Sequence, residues 1–224
     1  MWLRAFYADI TALSDPGLFQ LYYSEMNEHR RKRIDRLERT DAKARSLGVS
    51  VLLNRALERC GRVELSERVS SDENGKPVIS GCGSIHIGLS HSGWRAMCVI
   101  SDGKCGCDVQ KKGKPRMNVA KRFFAAEEYE VLMDIKNERS RTDRFFELWT
   151  QKESYVKALG TGIGTPFYSF GFDTSSDGYK RVIDNSDAGE YMVKSFDVEQ
   201  EYACCVCGER RAFPCDNIEK IELF

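Results

Sequence analysis

The sequence lacks a net charge of either sign. It has 34 Lys and Arg residues against 34 Asp and Glu residues, which leaves a formal net charge of +0 at pH 7. A balanced chain has no overall attraction to nucleic acid or to an anionic membrane, so any site for anions must be built locally from a few side chains. We therefore expect neither nucleic acid nor membrane among its partners.

The N-terminal segment also lacks a long apolar run. Arg4 and Asp9 interrupt its apolar residues, which is not the pattern of a signal peptide or a membrane span. With 42% apolar and 30% charged residues, the 224-residue chain has the composition of an ordinary globular protein with a substantial core. The sequence therefore predicts a cytoplasmic protein.

The nine cysteines do not suggest a disulfide framework, because their number is odd and the chain is long. Cys204, Cys205 and Cys207 lie in the segment 202–207, which is typical of a buried strand in which a thiol is a small apolar group. A zinc site that combines them with Cys105 and Cys107 is the alternative, although the spacings match no zinc module.

The periodicity predicts an α+β protein whose two halves share one plan. In the first half, a strand at 2–10 and a basic segment at 28–39 lead to a helix at 40–60, and strands follow at 85–89, 96–100 and 106–109. In the second half, helices at 119–135 and 142–159 precede strands within 170–206. This order predicts two similar lobes related by pseudo-twofold symmetry, 1–108 and 109–224, with the active site in the cleft between them.

The helix predicted at 142–159 carries charge where a core helix should be apolar. One stripe of its surface contains Phe145, Leu148, Trp149, Val156 and Leu159. Lys152 falls within this stripe, and Glu153 and Lys157 flank it one turn apart. Burying a lysine without a partner is costly, so this helix is a candidate for a site. The alternative is an ordinary Glu153–Lys157 surface pair, with Lys152 reaching solvent along its apolar stem.

Two acids on separate elements could hold a metal ion. Asp108 ends a short predicted strand, and Glu153 lies on the charged helix. Mg²⁺ usually takes one or two protein carboxylates and completes its shell with waters and substrate phosphate oxygens. Glu127 and Glu128 could add a third oxygen, although a single acid is more often a plain surface residue.

Several basic and hydroxyl residues could bind phosphate if the fold brought them together. They are Arg30, Arg33, Arg36, Arg45, Ser46, Lys76, Lys152 and Lys157. Arginine offers phosphate a two-pronged donor and lysine a point charge. In a chain without net charge such residues usually form a solvated surface, and only convergence on one cleft would make them functional.

The segment Ser90-His91-Ser92-Gly93 follows the strand predicted at 85–89. Together with Gly88 and Leu89 it resembles the G-x-S-x-G nucleophile elbow of esterases. However, Ser92 replaces the second glycine, and a strand rather than a helix is predicted to follow. We therefore favour a polar loop that binds phosphate oxygens, with a simple hairpin turn as the alternative.

In chain order, these motifs resemble those of the Sfp-type 4′-phosphopantetheinyl transferases, over nearly the whole chain. The motifs are Gly75-Lys76-Pro77, Leu89-Ser90-His91-Ser92-Gly93, Gly106-Cys107-Asp108-Val109 and Trp149-Thr150-Gln151-Lys152-Glu153-Ser154 through Lys157-Ala158-Leu159-Gly160, with Arg45-Ser46-Leu47 and Arg122-Phe123-Phe124. The resemblance implies a pseudo-twofold α+β monomer that binds coenzyme A and Mg²⁺ between its lobes. It would transfer the phosphopantetheine arm to a serine of an apo acyl or peptidyl carrier protein and release adenosine 3′,5′-bisphosphate.

The resemblance also implies roles for individual residues. Asp108 and Glu153 would hold the metal on the pyrophosphate, and Glu153 or a water bound to it would be the base. The 3′-phosphate would meet Arg30, Arg33, Ser46 and His91, with Arg45 also among the coenzyme A-binding residues. Lys76 and Ser90 would hold the adenine side and the pyrophosphate. Lys152 and the catalytic Lys157 would neutralise the leaving phosphate.

One position departs from the family pattern. The family usually has an acid two residues after the aspartate, where this chain has Gln110. An amide oxygen can still ligate a metal but brings no charge, so we expect weaker metal binding unless Glu128 compensates. A non-catalytic coenzyme A-binding protein with a decayed metal site is therefore the alternative. The intact Asp108, Glu153 and Lys157 argue against it.

The segment 111–124 is expected to receive the carrier protein. Its first part, 111–116, is basic and carries glycine and proline, as a linker does. Lys112 and Lys114 would attract an acidic carrier helix. Apolar contacts would come from Met117, Val119, Phe123 and Phe124. The alternative is a flexible solvated loop.

Overall fold

The computed structural model describes residues 2–173, 178–184, 190–213 and 215–224. The helices are α1 (Pro16–Ser24), α2 (Glu28–Asp35), α3 (Thr40–Arg59), α4 (Met117–Phe123), α5 (Ala126–Asp134) and α6 (Glu138–Leu159). The strands are β1 (Leu3–Asp9), β2 (Val69–Ser71), β3 (Pro77–Ile79), β4 (His86–Ser92), β5 (Arg95–Ser101), β6 (Cys105–Lys111), β7 (Phe170–Phe172), β8 (Lys180–Asp184), β9 (Tyr191–Phe196), β10 (Tyr202–Glu209) and β11 (Ile218–Lys220). Within these ranges, no helix combines the length and apolar character that a membrane crossing requires.

Two sheets make up the centre of the fold. The first has the strand order β11-β1-β5-β4 and the second the order β6-β10-β9-β8-β7, while β2 and β3 form a separate pair. The long helix α3 packs against β5, β4 and β1, and the long helix α6 packs against β6, β10 and β9. The predicted α+β fold class is confirmed, with one long helix on each main sheet.

The strand β10 shows how the cores are divided. Cys204 and Val206 belong to the apolar cluster between the two sheets, whereas Cys205 and Cys207 pack against α6. Burial raises the pKa of the Cys205 thiol to about 12, so the group stays protonated and packs as a small apolar side chain. All nine cysteines are free, and the predicted buried strand at 202–207 is confirmed.

The chain passes between the two sheets at two points. The strand β6 follows β5 in sequence but pairs with β10 in the second sheet. Near the C-terminus, β11 returns to the first sheet and pairs in parallel with β1. The lobe boundary predicted at residue 108 lies inside β6 and stays a prediction.

Two glycines allow β4, β6 and α6 to lie unusually close together. A Cβ atom on Gly88 would come 2.9 Å from the Gly106 Cα, and a Cβ atom on Gly106 would come 2.5 Å from the Ala158 backbone nitrogen and strike the Ser154 carbonyl oxygen. Real Cβ atoms essentially never approach other atoms this closely. The missing side chains therefore bring the edge strands of both sheets and the helix α6 into direct backbone contact.

The predicted element boundaries needed two corrections in the first half of the chain. The basic segment at 28–39 contains a helix, α2, whose N-cap Asn27 accepts a hydrogen bond from the Arg30 backbone. The strand predicted at 85–89 continues to Ser92, because residues 90–92 pair with Met97, Ala96 and Arg95 of β5. The predicted phosphate-binding loop is therefore the end of a strand.

Two further corrections concern the second half. The helix predicted at 119–135 is broken into α4 and α5 at Phe124, whose extended backbone lets its ring pack with Phe145 and Trp149. The helix α6 begins earlier than predicted, since Asn137 caps it by accepting a hydrogen bond from Ser140 at 2.9 Å. Residues 174–177 and 185–189 of the predicted strand region lie outside the described residues.

Replacing Gly106 with alanine should destabilise the protein by about 1–3 kcal/mol or more, because α6 backbone atoms cannot yield as a flexible side chain does. Urea unfolding of Gly106→Ala beside wild type would measure this. Gly113→Ala is the matched control, since nothing lies within 4 Å of a Cβ atom there. Equal stability of the two variants would contradict the close packing.

Candidate active site

A cleft of about 810 Å³ opens between α2, α3, the ends of β4 and β6, and the helices α4 and α6. It brings together nine of the residues predicted from the sequence. They are Arg30, Arg33, Ser46, Ser90, His91, Asp108, Gln110, Glu153 and Lys157. Residues that are far apart in sequence and come from both sheets thus converge on one surface. This convergence is what the basic residues need in order to form a binding site.

The floor of the cleft is the contact between β4 and β6, two residues beyond the Gly88–Gly106 contact. The Ser90 hydroxyl donates to Asp108 Oδ1 at 2.7 Å and accepts from the Val109 backbone N–H at 3.3 Å. A serine of the first sheet therefore forms hydrogen bonds with both a side chain and a backbone N–H of the second sheet. This contact fixes where Asp108 lies. It also excludes the nucleophile elbow, because Ser90 lies within a strand.

Asp108 is almost fully buried, with 1% of its surface exposed. Its Oδ1 atom accepts a hydrogen bond from Lys157 Nζ at 2.6 Å as well as the one from Ser90, and its Oδ2 atom accepts from Gln110 Nε2 at 3.1 Å. Burial disfavours the charged form of Lys157, but the negative charge of Asp108, its hydrogen bond, and the charges of Cys107 and Glu153 together outweigh burial, so the pKa of Lys157 is raised. The lysine stays protonated and compensates the buried carboxylate.

Glu153 lies one helical turn before Lys157 and lines the same cleft. Among the described residues its carboxylate has no hydrogen-bond or ion-pair partner, unlike Asp108. Burial and then the negative charge of Asp108 raise the pKa of Glu153, while Lys157 opposes them. Two carboxylates that repel each other in an open cleft have the donor chemistry that a divalent cation requires.

The described residues include no group of three His, Cys, Asp or Glu side chains placed to hold a metal. Mg²⁺ does not need such a group, because it retains waters and takes oxygens from substrate phosphates. Asp108 and Glu153 therefore fit this ion as an incomplete site that a phosphate ligand would complete.

The opposite end of the cleft is basic. Arg30 is 5% exposed, and its Nη1 atom donates to the Ser50 carbonyl at 3.0 Å and to Asn54 Oδ1 at 2.7 Å. Burial lowers the pKa of Arg30 to about 10, so the group remains charged at neutral pH. Its Nη2 atom has no hydrogen-bond partner among the described residues. This unmatched donor, with the exposed Arg33 nearby, suits an anionic ligand.

His91 lies at the end of β4, beside the acidic floor. Desolvation by the cleft walls, followed by the positive charges of Arg45, Lys157 and Arg33, lowers its pKa. These are the charges that a bound phosphate would offset. His91 therefore marks the place where the basic end of the cleft meets the floor.

Lys152 requires a correction. The expectation was that a bound phosphate would neutralise it in the cleft, but the side chain is fully buried away from the cleft lining. Its Nζ atom forms an ion pair with Glu128 Oε2 at 2.9 Å and donates to the carbonyls of Phe167 at 2.7 Å and Phe170 at 2.8 Å. The Phe170 ring centroid lies 4.5 Å away. Lys152 is thus a structural cation that joins α5 to α6.

Glu128 is corrected by the same contact. Its Oε2 atom also accepts the Ala125 backbone N–H at 3.0 Å at the start of α5, so the carboxylate serves the helix terminus and Lys152. It does not line the cleft and cannot compensate there for Gln110. Its neighbour Glu127 is exposed.

Two more predicted phosphate ligands have other partners. Lys76 Nζ donates to the Ala158 carbonyl near the C-terminal end of α6 at 2.9 Å, and burial lowers its pKa. Arg45 forms an ion pair with Asp41 at 2.9 Å and lies 6.0 Å from the Trp94 ring centroid. Neither residue lines the cleft, although the Arg45 charge reaches His91.

The sequence reasoning missed a group of lining residues that carry no motif. They are His29, Ser50, Ser70, Ser71 and Phe146. The serines come from α3 and from the strand β2, which was not predicted. Their only signal was proximity in sequence to predicted residues, as with Ser50 one helical turn after Ser46.

This chain is similar in sequence to known proteins. The family model described as "4′-phosphopantetheinyl transferase superfamily" matches residues 104–207. The 4′-phosphopantetheinyl transferase Sfp of Bacillus subtilis (strain 168) is 30% identical over 196 residues, which are 87% of this chain and 87% of that protein. A 4′-phosphopantetheinyl transferase of Bacillus subtilis is 33% identical over 66% of this chain and 65% of its own length.

A crystal structure of Thermotoga maritima holo-[acyl-carrier-protein] synthase (AcpS) has 25% sequence identity and covers 49% of this chain and 64% of its own. A TM-score of 0.39 does not establish a shared fold. The sequence identity and coverage of the Bacillus subtilis relative show the family. The chain belongs to the 4′-phosphopantetheinyl transferase superfamily and is of the Sfp type. It is a transferase, as the sequence resemblance predicted.

Removing the charge of Glu128 should destabilise the fold by about 3 kcal/mol, because the fully buried Lys152 ammonium would lose its counter-charge. Urea unfolding of Glu128→Gln would measure the loss, with the exposed Glu127→Gln as the matched control. The double variant Glu128→Gln/Lys152→Met should recover most of the stability. A single variant as stable as its control would show that the pair does not hold α5 to α6.

Proposed function

We propose that this chain transfers the 4′-phosphopantetheine arm of coenzyme A to a serine of an apo acyl or peptidyl carrier protein and releases adenosine 3′,5′-bisphosphate. The observation that carries the proposal is the convergence of Asp108, Glu153 and Lys157 on the floor of a cleft that has a basic end. Coenzyme A fits this cleft in charge, because its phosphates are anionic and its phosphopantetheine arm beyond them is uncharged.

The 3′-phosphate is assigned to the basic end of the cleft. The partner-free Nη2 atom of Arg30 and the Arg33 side chain supply charge, while Ser46 and His91 supply further hydrogen-bond donors. The pyrophosphate then lies over the floor, near Ser90 and Lys157. The apolar wall of Val119, Phe146 and Trp149 is left for the arm and the approaching carrier.

Asp108 and Glu153 are the residues that would hold Mg²⁺. When bound, the ion supplies positive charge to the pyrophosphate oxygens. The assignment of Mg²⁺ to these residues rests on the chemistry of their two carboxylates.

The chain's own residues contribute positioning, charge and a base. The carrier serine oxygen forms a bond to the β-phosphorus, the bond from this phosphorus to the bridging oxygen breaks, and adenosine 3′,5′-bisphosphate leaves. Lys157 is raised in pKa and stays protonated, so it can offset charge on the leaving phosphate. The carboxylate of Glu153, or a water bound to it, accepts the serine proton.

The alternative, a non-catalytic coenzyme A-binding protein, explains the cleft less well. Mere binding of coenzyme A would not need an unpaired carboxylate such as Glu153 facing the place where negative phosphates lie, because that carboxylate would repel them. Transfer needs both a base and a cation site there. The family membership favours the catalytic function for the same site.

We also propose that the protein acts as a cytoplasmic monomer. The residues that the proposed reaction uses, Asp108, Glu153 and Lys157, all come from one chain. The free state of all nine cysteines suits a reducing compartment.

Intact-protein mass spectrometry would test the reaction directly. A panel of apo fatty-acid, polyketide and nonribosomal-peptide carriers is incubated with the protein, coenzyme A and Mg²⁺. We expect at least one carrier to gain the mass of one phosphopantetheine, with no gain in EDTA or with Glu153→Ala. Binding of coenzyme A without any mass gain across the panel would favour the binding-protein alternative.

We propose that the carrier docks on 111–124, with Lys121 and Arg122 as the residues that attract it. Lys112 already forms an ion pair with Asp143 at 2.7 Å, and Lys114 lines the cleft. By contrast, Lys121 and Arg122 on α4 are exposed outside the cleft lining, next to Phe123, which is 40% exposed. A basic, partly apolar helix face of this kind suits an acidic carrier helix.

The double variant Lys121→Glu/Arg122→Glu should raise the carrier KM by about tenfold at low salt, because rim charges steer encounter. The coenzyme A KM should stay unchanged, since neither residue lines the cleft. Initial rates at varied carrier and varied coenzyme A would separate the two constants. Lys136→Glu, also exposed but outside this segment, is the control. An unchanged carrier KM would exclude docking on α4.

A further inference from the structure

Gln110 occupies the position where the family pattern has an acid, and its contacts show which way its amide points. The Nε2 atom donates to Asp108 Oδ2 at 3.1 Å. The Oε1 atom accepts from the Ser92 hydroxyl at 3.4 Å. The amide therefore turns its donor side, and not its oxygen, towards the carboxylate.

The chemistry of the neighbours fixes this orientation. An ionised carboxylate is an acceptor only, so a reversed amide would place two acceptor oxygens against each other. Ser92 accepts the Lys111 backbone N–H at 3.0 Å, and its hydroxyl proton remains for the Gln110 oxygen. Both ends of the amide are thus matched by groups that cannot exchange roles without loss.

The pair Ser92–Gln110 repeats the pair Ser90–Asp108 two residues along the same two strands. Each pair is separated by 18 residues in sequence, and each serine accepts a backbone N–H of β6. The Gln110 amide is therefore built into the contact between β4 and β6. It is held in place before any ligand arrives.

The hydrogen bonds on the two carboxylates differ sharply. Both oxygens of Asp108 have donors, namely Ser90 and Lys157 on Oδ1 and Gln110 on Oδ2. Glu153 has none among the described residues. A cation that enters alone meets one open carboxylate, Glu153, whereas the three donors on Asp108 leave that group about one of its four lone-pair sites.

We infer that Gln110 donates a hydrogen bond to Asp108 in competition with the cation and does not ligate the metal, so that the cation is captured together with coenzyme A and not ahead of it. This rests on the proposed function of the site. The pyrophosphate supplies the oxygens and negative charge that the third acid would otherwise supply.

Binding of Mn²⁺, followed by the electron paramagnetic resonance signal of the free ion, tests the inference without measuring transfer. For the wild type we expect weak binding of Mn²⁺ alone and binding at least about tenfold tighter when coenzyme A is present, because ligand charge sets affinity at such sites. Equal affinity with and without coenzyme A would overturn the joint capture.

The variant Gln110→Leu separates a donor from a ligand by the sign of its effect. If Gln110 is a donor that competes with the cation for Asp108, its removal leaves the affinity for Mn²⁺ alone unchanged or raises it. If the amide oxygen is a ligand, or if the amide orients Asp108 for the metal, its removal weakens that affinity by about tenfold or more. The second result would overturn the assignment.

Gln110→Glu is the second variant. It should tighten binding of Mn²⁺ alone by about tenfold or more and shrink the enhancement by coenzyme A, since it adds a carboxylate. An undiminished enhancement would contradict the inference. Thermal unfolding and metal-free coenzyme A binding of both variants show that the fold is intact. These measurements involve no carrier protein. They therefore test the role of Gln110 even if the transfer assay shows no reaction.

Discussion

The close approach of β4, β6 and α6 is the constraint on which the cleft depends. Gly88 and Gly106 have no side chains to keep the backbones apart, so two edge strands from different sheets and the helix α6 lie in direct contact. Two residues further along, Ser90 meets Asp108, and one helical turn of α6 presents Glu153 and Lys157 to the same point. The missing side chains thus position the charged ones.

The buried charges of the site are balanced in two separate places. Asp108 and Lys157 compensate each other on the cleft floor, while Lys152 and Glu128 do so on the far side of α6. The helix therefore carries these two ion pairs, while Glu153 beside the cleft has no partner among the residues that the structure describes. A buried pair of this kind adds little net stability but makes the loss of either partner costly. Such pairs specify where α6 lies more than they strengthen the fold.

Much of the fold and the site could be predicted from the sequence. The α+β class, the long helices at 40–60 and 142–159, and the buried strand at 202–207 follow from periodicity, since each face must match its burial. Nine predicted site residues line the cleft, because the motifs occur at strand and helix ends that converge in such a fold. Lys76, Lys152 and Glu128 have partners outside the cleft lining, because a charged side chain of a motif can face either side of its element.

The sequence by itself determined which chemical groups are available: an acid on β6, an acid and two lysines on one helix, and basic residues before and within the long helix α3. Only the tertiary structure decided which of these groups are free. Asp108 has its donors and Lys152 has Glu128, whereas Glu153 and one nitrogen of Arg30 have no hydrogen-bond partner within the described part of the chain. The physical reason is that a hydrogen bond or ion pair is made or lost when the distance between its two groups changes by a few tenths of an ångström. For residues remote in sequence, no local sequence pattern records that distance.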